Sequence, residues 1–106
     1  MVKIIYHRDR HRVSITGHAM SGEKGNDLVC ASVSTLAYTL ASFVKNMEAA
    51  GQVRHPTVKL CEGDALISCE CARRYEGGIT LVFDSICAGF EILSGEYPEN
   101  VTYQIR

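Results

Sequence analysis

The sequence predicts an α+β domain, a mostly antiparallel sheet with two helices packed on one face, in the order β-β-α-β-β-α-β. Apolar residues recur at helical spacing in two long stretches, and in five short ones they alternate singly with polar residues. At 106 residues, the chain reads as one domain over 1–106, long enough to bury a core and too short to divide in two.

Residues 2–7 and 12–16 read as strands. Val2, Ile4 and Tyr6 alternate with Lys3 and His7, and Val13 and Ile15 alternate with Arg12, Ser14 and Thr16. The basic run His7-Arg8-Asp9-Arg10-His11-Arg12 between them reads as a solvated hairpin tip. Gly17 to Gly25 has no periodicity and several small polar residues, which predicts a loop with wide conformational freedom.

A long helix should follow, with Asn26 or Asp27 as N-cap and Val29, Val33, Leu36, Ala37, Leu40, Phe43, Val44 and Met47 on its apolar face. Gly51 is its stop signal. Residues 57–61 and 65–71 read as a second hairpin closed by Glu62-Gly63-Asp64. Gly77-Gly78 then opens a second helix with Ile79, Val82, Phe83, Ile86, Phe90 and Leu93 on one stripe, ended by Ser94-Gly95 and Pro98. Val101, Tyr103 and Ile105 alternate in a last strand.

With 46% hydrophobic and 22% charged residues, composition is that of an ordinary soluble protein. No uninterrupted apolar run approaches the ~20 residues that span a bilayer, and Met1 to Tyr6 meets charge too early for a signal peptide. These features predict a cytoplasmic protein with no membrane partner. A net charge of -1 supplies no global field for nucleic acid, so no direct nucleic-acid partner is expected.

Five cysteines without an export signal argue for free thiols, a metal site or one reactive cysteine. Cys30 is expected in the first turn of the first helix, where unsatisfied N–H groups and the dipole favour a thiolate. A nearby imidazolium favours it further, and His18 stands shortly before it. Asp27, Cys30 and Ser34 share a face adjoining the core stripe. On residue chemistry alone, Cys30 as a small buried hydrophobe and His18 as a loop histidine with a structural hydrogen bond remain open.

Cys69 and Cys71 lie on the side of their strand shared with Ala65 and Ile67, which reads as core packing. With Cys61 and His55 they offer a zinc or redox alternative, but the spacing matches no common zinc pattern. Cys87 reads as core, and Cys61 as exposed near a turn without a role. Ser21, Ser32 and Ser34 near His18 permit a serine-hydrolase reading, which lacks a nucleophile-elbow pattern.

Taken together, "GHA" at 17–19, glycines at 22 and 25, Asp27 and "VCASVS" at 29–34 resemble the signature of the ribosomal-processing cysteine protease family, Prp. The resemblance implies Cys30 as nucleophile and His18 as general base, with Asp27 and Ser34 as supporting residues. It implies no cofactor and no metal. It also implies a homodimer whose substrate is a ribosomal protein precursor, losing the N-terminal extension of a large-subunit protein that reaches toward the peptidyl-transferase centre.

Ala19, Gly22 and Gly25 fall in the loop joining base to nucleophile and read as a flexible substrate loop. Asp27 either orients His18, caps the helix or does both; capping is favoured, because a carboxylate bonded to helix N–H groups is less free to hold an imidazole. Ser32 stands where the family commonly has alanine, and "MSGEKG" lacks an aromatic residue often seen there. Two further readings compete: a non-enzymatic ribosome-associated or RNA-contacting module using the 7–12 hairpin, and a thiol redox protein using Cys69 and Cys71.

Overall fold

The computed structural model describes residues 1–17 and 28–106 in full, together with the backbone of 24–27. Its elements are β1 (Val2–His7), a 3-10 turn (Arg8–Arg10), β2 (Arg12–Gly17), α1 (Lys24–Ala49), β3 (Arg54–Cys61), β4 (Asp64–Glu70), α2 (Arg73–Glu96) and β5 (Val101–Ile105).

The five strands form one sheet in the order β3-β4-β2-β1-β5. Three pairings are antiparallel. The fourth is parallel, because α2 carries the chain back so that β5 runs beside β1 in the same sense. The α+β class and element order are as expected, in a mixed sheet.

Period-two patterning places Val2, Ile4, Tyr6, Val13, Ile15, Ile67 and Val101 in the core. They meet Val29, Val33, Leu40 and Val44 of α1 and Ile79, Phe83, Cys87 and Phe90 of α2. Lys3, Ser14, Thr16 and Thr102 alternate with them and stay exposed or half-buried, so the helices cover one face. The two helices close on each other where a Cβ at Gly89 would come within 2.8 Å of the Leu36 side chain.

Several boundaries differ from the sequence reading. α1 takes in Lys24 and Gly25, so Asn26 and Asp27 lie inside the helix and neither is its N-cap. A cap preference is worth only about 1 kcal/mol, and nothing in Lys24-Gly25-Asn26 blocks another turn. α2 likewise starts at Arg73 and runs through Ser94-Gly95 to Glu96, with Gly77 and Gly78 in its second turn. A Cβ at either glycine would meet nothing within 4 Å, so they occupy open helix surface. β3 begins at Arg54 and is irregular between Arg54 and Thr57, with His55 at φ +49, which hides its first residues from any alternation.

The basic tip is solvated at Arg8, Asp9 and Arg10, as expected, but it is anchored through His11 and through the Arg8 side chain. His11 is only 5% exposed, and its Nε2 lies 2.6 Å from Thr80 Oγ1. Arg8 donates a two-pronged bond to Asp84, at 3.0 Å on each prong, and the Tyr6 hydroxyl donates to the same carboxylate at 2.8 Å. The Arg8 guanidinium holds Asp84 below the usual carboxylate range, while burial, then the bond to Asp84, raises the Tyr6 phenol.

Leu28–Ala49 and Arg73–Glu96 each contain an 18-residue window of mean hydropathy 1.4, long and apolar enough by composition to cross a membrane. Leucine, valine, isoleucine, phenylalanine, cysteine and alanine lift that average, while interspersed serine, threonine and glycine keep them from forming a continuous apolar run, and one stripe of each helix lines the core.

Candidate active site

Two glycines bring the walls of the site together. Gly17 ends β2 at φ +91, and a Cβ there would stand 2.2 Å from the Met1 carbonyl oxygen, so no other residue fits. Its N–H donates to the carbonyl of Gly63 at 3.0 Å. Gly63, at φ +75, belongs to the two-residue turn that joins β3 to β4. The end of β2 is thereby fastened to the tip of the β3–β4 hairpin.

α1 passes over this junction. Val29, Val33 and Ala37 point into the core, and Cys30 and Ser34, one turn apart on the adjoining face, are exposed. Between helix and hairpin lies a cavity of about 490 Å³. Cys30, Val33, Ser34, Ala37 and Tyr38 form its helix wall, with Val2, Ile15 and Ala65 from the sheet. Leu60, Cys61, Glu62, Gly63 and Asp64 form the opposite wall, and Gly17, the residue preceding His18 in the chain, lines the same space. Tyr38 is 58% and Leu60 36% exposed, so the cavity carries uncovered apolar surface.

Cys30 and Ser34 thus meet in one place, as their spacing predicts. Cys30 is the seventh residue of α1, so its position is a turn beyond the first-turn N–H groups of 24–27 rather than among them. His18, Ala19 and Gly22 lie outside the described residues, as does the side chain of Asp27. Gly25 is described only as helix backbone.

The other thiols divide by burial. Cys69 and Cys87 are buried in the core, and burial pushes their thiols up to about 11 and about 12. Cys71 is half-buried and raised for the same first reason. Among the described residues no group of three His, Cys, Asp or Glu side chains is arranged to hold a metal ion. Cys61 is exposed, as expected, but it shares the Cys30 cavity. Sequence reasoning missed that, along with Tyr38 and Leu60. Tyr38 was within reach, eight residues past Cys30 on a helix, whereas Leu60 and Cys61 arrive only through the Gly17–Gly63 bond.

The family model of the cysteine protease Prp matches residues 1–102. In three dimensions the chain is similar to SMU.848 from Streptococcus mutans, with a TM-score of 0.68 and 29% identity over 98% of this chain and 90% of that one. It is also similar to the ribosomal processing protease Prp from S. aureus in complex with a substrate peptide. There the TM-score is 0.70 at 21% identity, covering 99% of this chain and 97% of that one. The same S. aureus protein with a covalently linked product peptide gives a TM-score of 0.70 at 23% identity, with the same coverage. At those two identities the likeness shows the fold. No curated protein sequence matches the chain.

Proposed function

Because the chain belongs to the cysteine protease Prp family, we propose that Cys30 attacks the scissile carbonyl of a peptide seated in the cavity between α1 and the β3–β4 hairpin. His18 serves as general base. The observation that carries this reading is an exposed Cys30 lining a cavity that Gly17, the neighbour of His18, also lines.

The thiolate adds to the carbonyl carbon and forms a tetrahedral intermediate. That intermediate collapses to a thioester as the C–N bond breaks, and the protonated His18 gives its proton to the leaving amine. The neutral imidazole then takes a proton from water, whose oxygen displaces the Cys30 sulfur and releases the acyl product. Asp27 and Ser34 support the pair, Ser34 from one turn along the same helix face.

The substrate in this reading is a large-subunit ribosomal protein precursor, cut after hydrophobic or aromatic residues of its N-terminal extension. Val33, Ala37, Tyr38 and Leu60 supply apolar surface for such side chains. The reaction belongs to the cytoplasm, and the working form is a homodimer. A related S. aureus protein carries the name ribosomal processing protease and binds a substrate peptide, which supports the assignment by analogy.

The test is cleavage of a synthetic peptide spanning the extension and its junction with the mature protein. Wild-type protein is expected to cut it, whereas Cys30→Ala and His18→Ala abolish turnover and Cys69→Ala/Cys71→Ala retains it. Turnover surviving Cys30→Ala, or lost only in the Cys69/Cys71 variant with the fold intact, overturns the proposal.

A further inference from the structure

All seven arginines of the chain lie at one end of the molecule. Arg8 and Arg10 form the turn after β1, Arg12 opens β2, and Arg54 opens β3. Arg73 and Arg74 open α2, and Arg106 follows β5, its N–H bonded to the Tyr6 carbonyl at 2.8 Å. The Cys30 cavity lies at the opposite end of the sheet, where the described carboxylates include Glu62, Asp64, Glu96 and Glu99. The net charge of -1 therefore averages over two ends of different character.

Most of these arginines are uncommitted. Arg8 is held by Asp84, and Arg74 stacks over the Tyr75 ring at 4.7 Å. Among the described residues, Arg10, Arg12, Arg54, Arg73 and Arg106 make no side-chain hydrogen bond or ion pair. Arg10, Arg12 and Arg73 converge with His11 and His55 on a second cavity, of about 610 Å³. Three carboxylates share it, Asp9, Glu70 and Glu76, of which Glu70 is already bonded to His55 at 3.1 Å.

We propose that this arginine end binds the phosphodiester backbone of single-stranded RNA, independently of the peptide site. Arginine presents a planar fork of donors that matches phosphate oxygens two at a time, which lysine does not. The strand ends from β3 to β5 are separated by four inter-strand gaps, about 19 Å at roughly 4.8 Å each. A row of that length tracks a chain of phosphates rather than one anion. Arg74, held over the ring of the half-buried Tyr75 at 4.7 Å, adds a further fixed guanidinium to the same end. Because the two sites occupy opposite ends, RNA and peptide bind together without competing.

The test is fluorescence anisotropy of a labelled single-stranded RNA of about 12 nucleotides, titrated from about 50 to about 200 mM salt. Three to five phosphate contacts predict a slope of log affinity against log salt of about −2 to −3.5. Arg10→Gln/Arg12→Gln/Arg73→Gln flattens that slope by about 2 and lowers affinity at least about tenfold. Circular dichroism verifies that the variant is folded. Should it not fold, Arg54→Gln and Arg106→Gln each remove about 0.7 of slope. Three results overturn the proposal: no RNA binding at low salt, a slope unchanged in the folded variants, or polyglutamate of equal length binding as tightly as RNA.

Discussion

The backbone N–H of Gly17 donates to the carbonyl of Gly63 at 3.0 Å, joining the residue before the proposed general base to the turn that walls the Cys30 cavity. Any side chain on Gly17 collides with the Met1 carbonyl and imposes φ +91 on a residue with a Cβ. The left-handed region alone disfavours such a residue by about 1–2 kcal/mol. Gly17→Ala is therefore expected to lower the melting temperature by at least about 4–8 °C in a thermal scan. Peptide cleavage should fall further than the lost stability accounts for at assay temperature.

Asp84 gives a pH signature. Its folded-state carboxyl sits below the usual range because Arg8 and then Tyr6 hydrogen-bond the charged form. The stability it contributes is present above the unfolded value, about 3.9, and is lost as pH falls through the lower folded value. The difference in melting temperature between wild type and Asp84→Asn should be flat above about pH 5 and shrink below about pH 4. A difference that instead grows on acidification contradicts the assigned direction.

Alkylation should sort the thiols by burial. Iodoacetamide at about pH 8, followed by mass spectrometry, is expected to label exposed Cys30 and Cys61 first. Cys69 and Cys87, buried and held mainly as neutral thiols, should react only after denaturation. A product peptide occupying the cavity should protect Cys61 as well as Cys30, since both line it.

The helix glycines should respond in opposite senses. Gly77→Ala, with nothing within 4 Å of the new Cβ, should stabilise the protein by roughly 0.5–1 kcal/mol in a denaturant titration. Gly89→Leu drives its side chain into Leu36, already 2.8 Å from a bare Cβ, and should destabilise by about 1–3 kcal/mol.

What the sequence reveals follows from the range of the forces involved. Val2, Ile4 and Tyr6, and the Val29–Val44 stripe, announce their buried faces because period and burial are both local. That Cys30 and Ser34 share a face beside that stripe is legible for the same reason, whereas the exposure of Cys30 is not, since a small buried hydrophobe fits the same spacing. The cavity is not legible either, since Leu60 and Cys61 reach Cys30 only after the hairpin tip is fastened at Gly17. Helix starts at Lys24 and Arg73 are missed because capping and glycine preferences of about 1 kcal/mol yield to added helix hydrogen bonds. The parallel pairing of β5 depends on the α2 crossover, and the arginine end on which strand termini share a side. A net charge contains neither.

The position of β1 bears on how the protein comes into being. Of this strand's two neighbours, β2 follows it directly, whereas β5 is separated from it by both helices and three strands, and Val2 on the floor of the Cys30 cavity is partnered by Val101. A chain in which α1 and the β3–β4 hairpin have already formed still lacks the strand that braces this floor. The cavity is therefore complete only once residues from distant parts of the chain have paired, a contact that loop closure makes slow to form.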